Sequence, residues 1–139
     1  MTPRTIATAE DMARALHLAD GPENEALMLE LRLMSNAATL AVKVAGQAKT
    51  LSRAGRRSHV ASARENLARE SGPGSEMARD GIGSGHLQQF RNTFERMLDG
   101  CLEANATGEI VVLSCAVKVD GEERKVTVAT YTPGGGETA

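Results

Sequence analysis

Tryptophan is absent, and only Phe90, Phe94 and Tyr131 are aromatic. That scarcity removes most of the flat faces on which unpaired bases stack, and it leaves a core to be built from Ala, Leu, Val and Met. Cysteine is equally sparse. Cys101 and Cys115 fall at positions that read as core, so a disulfide-stapled secreted scaffold is excluded and a reduced, cytoplasmic setting is expected. No stretch approaches the ~18 consecutive apolar residues of a spanning helix, and Met1–Thr5 lacks the apolar run of a signal peptide. The expectation is a protein with no membrane partner.

Chemistry-bearing clusters are missing as well. His17, His59 and His86 belong to different elements, and none stands at ligand spacing from another histidine, a cysteine or a carboxylate pair. Ser84 and His86 lie close in sequence but no third group completes a triad. Gly81-Ile82-Gly83-Ser84-Gly85 has the glycines of a phosphate loop without a preceding strand or a following Lys-Ser or Lys-Thr. No catalytic residue, metal site or cofactor is assigned, and the chain is read as a non-enzyme.

What is present is an uneven distribution of charge over 139 residues, a length that suits one domain. The net charge of −2 hides the asymmetry. Between Leu33 and Arg69 seven basic residues face Glu65 alone, a local +6, while the remainder carries −8. The molecule is electrically two-sided.

The stretch from Pro22 to about Arg53 reads as one long helix. Leu27, Leu31, Met34, Ala38, Ala41, Ala45 and Ala48 recur in steps of four and three and form an apolar seam along it. Such a seam exceeds what one subunit is expected to hide, so it is assigned as an interface and a homo-oligomer is expected, a dimer by default. Before it, Thr8 and Asp11 have capping-box spacing and open a short helix ending at Asp20-Gly21. The helix-turn-helix reading of Ala9–Arg32 is disfavoured because Glu23 and Glu25 would face phosphates. The same segment, a short helix, a turn and an acidic leucine-rich helix, resembles the start of small head-to-tail connector proteins of tailed phages. It carries no motif specific to them, and no family is assigned.

After the long helix, Val60, Ala63 and Leu67 share a face of a helix over 58–70, and residues 71–85 form a Gly/Ser-rich loop with one helical turn at Glu76–Arg79. Leu87, Phe90, Phe94, Met97, Leu98, Cys101 and Leu102 mark an amphipathic helix over 86–105 that Gly108 can close. A β-hairpin over 109–131 follows, turning at Asp120-Gly121. In an unbroken register Leu113 faces Val128, and Ile110 faces Tyr131 on the outer face. Residues 1–7 and 132–139 read as an extended arm and a loose tail. The fold class is therefore α+β, mainly α: a long central helix packed with a second amphipathic helix, plus a C-terminal hairpin.

Function is read from the basic end. If helix continues past Gly55, then Lys49, Arg53, Arg57 and Arg64 align in a stripe with Arg56 beside them. Such a stripe suits nucleic acid or another polyanion; an acidic protein surface fits equally. The competing class is a protein–protein assembly or inhibitory subunit, for example a viral-type structural or accessory protein, binding through the long helix and the hairpin edge.

Overall fold

The structure is a computed structural model that describes residues 8–18 and 24–133. The arm, the Gly21-Pro22 junction and the glycine tail lie outside the described residues. Helix α1 (Ala9–Ala15) opens on the expected capping box: Thr8 Oγ1 accepts from the Asp11 amide at 3.0 Å and the Thr8 amide donates to Asp11 Oδ2 at 3.3 Å. The backbone bond from Thr8, then its hydroxyl and the nearby Arg14, hold the Asp11 carboxyl below its ordinary pKa. A depressed carboxylate contributes stability that is full above its unfolded-state pKa and is lost as pH falls through the folded value. Protection of the first-turn α1 amides from hydrogen exchange is therefore expected to fall in that acid window, and Asp11→Asn to flatten the response.

The end of α1 differs from expectation. The helix closes at Ala15, with His17 at φ 60° and the Leu18 amide donating to the Ala13 carbonyl at 3.0 Å. This is the wrapped C-terminal bonding usually completed by glycine. A histidine in that place hides the signal.

The two helices expected over 22–53 and 58–70 are both present, but the break between them falls earlier, at residues 49–52. α2 runs Glu25–Ala48 and α3 runs Arg53–Glu70. Short bonds from Thr50 to Gln47 and from Leu51 to Ala48 tighten the exit from α2, and Ser52 Oγ then accepts from the Gly55 amide at 3.1 Å. A serine N-cap thus starts the second helix at Arg53 instead of about Ser58, which places Gly55 inside α3. A single turn, α4 (Glu76–Arg79), stands where it was read, and α5 spans Ser84–Thr107 with Gly108 at φ 81° closing it.

Side-chain bonds fix the helix directions. Gln89 reaches Glu30 near the starts of α5 and α2, and Asn105 reaches the Ala45 carbonyl near their ends, so the two run parallel. Arg91 donates to the Ser71 carbonyl at 2.6 Å and Arg64 binds Glu95, which makes α3 antiparallel to α5.

The apolar seam is sealed inside the chain. Leu31, Ala38, Ala41, Ala45 and Ala48 are fully buried, Met34 is nearly so, and only Leu27 is half-exposed. They share one core with Phe94, Met97, Leu98 and Cys101 of α5 and the inner face of the hairpin. Small side chains let α5 come close. The seam is therefore not a free interface, and the reason for expecting an oligomer to cover it is withdrawn.

The hairpin pairs β1 (Val111–Val119) with β2 (Glu122–Tyr131) around Asp120 and Gly121, both at positive φ as a two-residue primed turn requires. Near the turn the register is as read, with Val117 opposite Arg124 and Cys115 opposite Val126. Further down, Ser114 pairs with Thr127 but Leu113 pairs with Ala129 and Val111 with Tyr131. Val128 is the extra residue of a β-bulge. One inserted residue switches the face of everything beyond it. Val128 and Ala129 are consequently both buried, Tyr131 points into the core at 1% exposure, and Ile110 is left outside at 62%.

Candidate functional site: a cationic cleft between α3 and α5

Because α3 and α5 are antiparallel, residues 56–64 of α3 lie alongside residues 95–106 of α5. Between them and the end of α2 opens a cleft of ≈ 630 Å³ lined by Lys49, Arg56, Arg57, Val60, Ala61, Arg64, Leu102, Asn105 and Ala106. Positions 57, 60, 61 and 64 recur at helical spacing, so one face of α3 supplies a whole wall. The floor is apolar and the rim is basic.

Each cation is held differently. Arg64 is committed within the chain: Nε donates to Glu95 Oε1 at 2.8 Å and Nη2 to Asp99 Oδ1 at 3.2 Å. Glu95 is half-exposed and Asp99 exposed, so the pairs stabilise modestly, but they orient the guanidinium and outweigh its charge, two carboxylates against one cation. Lys49 Nζ donates to the Pro133 carbonyl, tying the end of β2 to the end of α2. Arg56 Nη1 bonds the Leu51 carbonyl at 3.2 Å, a neutral partner that leaves its charge uncompensated. Among the described residues no carboxylate pairs with Arg53, Arg56 or Arg57, and all three are exposed.

The structure therefore gathers four of the five basic residues read from the sequence, Lys49, Arg56, Arg57 and Arg64, round one cleft. Arg53, on the first turn of α3, stands outside its lining. They do not form one helical stripe, since Lys49 caps α2 and the arginines belong to α3. Sequence reasoning missed the opposite wall. Leu102 looked like the last rung of the buried α5 stripe but is half-exposed at its edge, and Asn105 and Ala106 carried no signal of their own.

Other chemistry is thin. Cys101 and Cys115 are buried and neither is in a disulfide. Burial pushes the Cys115 thiol up, against the pull of Arg96 at 3.5 Å, so it is not an activated nucleophile. Among the described residues no group of three or more His, Cys, Asp or Glu is placed to hold a metal ion, and no helix is long and apolar enough to cross a membrane. The class defined by these features is a mainly helical α+β protein with a basic-rimmed cleft between α3 and α5. No protein family, curated protein or solved structure matches the chain.

Proposed function

We propose that this is a non-enzymatic binding protein that takes a polyanion in the cleft between α3 and α5. The observation that carries this reading is the pairing of Arg56 and Arg57 on one rim with no carboxylate against them among the described residues, beside an open cavity. Uncompensated guanidinium groups at a concave surface concentrate field where an anion can enter. Lys49 stands at the far end, bonded to the Pro133 carbonyl, and Arg64, whose charge is outweighed by Glu95 and Asp99, shapes the wall.

Arg56→Glu together with Arg57→Glu is expected to abolish retention on immobilised heparin and on duplex DNA at low salt, with the helical circular-dichroism signal intact. Both residues are exposed, so the substitution leaves the core alone. Wild-type retention is expected to fall steeply as salt rises, because bound counterions are released on association. Equal retention by the two proteins would remove the reading.

A second reading, assembly with another copy, rests on the hairpin. Ile110, just before β1, and Val112, on its outer face, are 62% and 57% exposed, a β-branched pair at an open two-stranded sheet. Light scattering at micromolar concentration decides it: a dimer in the wild type that Val112→Lys converts to monomer is the expected outcome of this reading, and a wild-type monomer removes it.

A further inference from the structure

The cleft has two properties that a phosphate backbone alone does not explain. Its floor is apolar, built from Val60 and Ala61 on α3 and Leu102 and Ala106 on α5. It also contains no aromatic ring, since Phe90, Phe94 and Tyr131 are all buried in the core. Unpaired bases would find nothing there to stack on. A duplex would cover the rim and leave the floor unused.

From this charge pattern we infer that the occupant of the cleft is an acidic amphipathic helix of a partner protein. The inference rests on the polyanion reading above and names the kind of polyanion. Laid in the groove between two antiparallel helices, a third helix offers apolar side chains at i, i+3, i+4 and i+7 to the floor and carboxylates to the rim, the usual mode of helix-in-groove recognition. The dimensions agree. From Arg57 to Arg64 is about 10 Å along α3, close to two turns of a helical ligand. The alanines of the floor, Ala61 and Ala106, are both exposed, and their small side chains leave room for leucine-sized groups. Arg56 and Arg57 supply the complementary charge, while Arg64, paired with Glu95 and Asp99, closes the groove at its other end. Carboxylates displaced by one turn along the ligand would miss the rim, so charge sets register and the floor contributes affinity.

The test is fluorescence anisotropy with three labelled probes: a peptide of about 15 residues with Leu on one helical face and Glu on the rest, the same composition scrambled so that no face exists, and duplex DNA. They are titrated with wild type, with Arg56→Glu/Arg57→Glu, and with Ala61→Gln/Ala106→Gln, whose exposed sites accept a good helix former without touching the core. The amphipathic peptide is expected to bind at least roughly tenfold tighter than either other probe. The floor variant is expected to lose roughly tenfold for that peptide alone, and the rim variant to lose all three. If the scrambled peptide or the duplex binds as tightly, or the floor variant binds the amphipathic peptide unchanged, the helical occupant is overturned and the polyanion cleft stands. If no probe binds in a way the rim variant abolishes, both fall.

Discussion

Phe94→Ala is expected to lower the unfolding free energy by about 3–5 kcal/mol, the usual range for deleting a buried phenyl ring. For a chain of this length that is a fall of roughly 10–17 °C in melting temperature. Phe94 is fully buried and shares its core with the alanines of α2. Those alanines have too little bulk to collapse into the vacated space, so most of the cavity term persists. The more telling measurement is concentration dependence. If α5 covers the seam of α2 within one chain, wild type and Phe94→Ala keep the same melting temperature from low to high micromolar concentration. A core completed by a second copy would instead melt higher as concentration rises. The converse change, Ala41→Leu, is expected to cost about 1–3 kcal/mol by overpacking a fully buried position of the same core.

The elements legible in the sequence are those whose signals are local. Thr8 and Asp11 are three residues apart and form their capping box; Asp120-Gly121 makes its turn from two residues; Gly108 closes α5 as glycine does. What was misread depended on competition or distance. Ser52 ends one helix and starts another by accepting a single amide, a choice invisible beside an apolar period that runs up to it. The bulge at Val128 turns Tyr131 to the inner face, where it is buried and bonds Asn105, 26 residues away. For the site, the basic residues were evident but their fates were not. Arg64 meets Glu95 and Asp99, 31 and 35 residues away, and no local pattern announces that pairing.

The seam illustrates the same limit. Its period correctly required a partner, but period alone does not say whose. The partner is α5, which carries the aromatic pair Phe90 and Phe94 and lies parallel to α2 through the loop and helix between them. Covering the seam internally shifts the functional question from α2 to the surface that α3 and α5 leave between them. The cleft is then a by-product of how three helices meet: two pack tightly, and the third, with only Val60 and Leu67 buried along it, packs loosely enough to leave it open.

Asn105 is where that cleft is tied to the core, and it gives the second large effect. Its Nδ2 donates to the Ala45 carbonyl at 3.0 Å and its Oδ1 accepts from the Tyr131 hydroxyl at 2.7 Å, so one amide joins α2, α5 and the end of β2. Asn105→Ala removes both bonds in a part-buried site and is expected to cost about 2–3 kcal/mol, whereas Tyr131→Phe removes one and is expected to cost about 1 kcal/mol. Because the two residues share a bond, the double variant is expected to fall short of the sum by about 0.5–1.5 kcal/mol in urea unfolding. Asn105→Asp separates the two contacts: a carboxylate still accepts from Tyr131 but has no donor for Ala45, and it brings a negative charge to a cleft lined by Lys49, Arg56 and Arg57. It is expected to be destabilised less than Asn105→Ala if Tyr131 dominates, and equally or more if the bond to α2 does. Additive losses in the cycle would show that the Asn105–Tyr131 bond contributes nothing to stability.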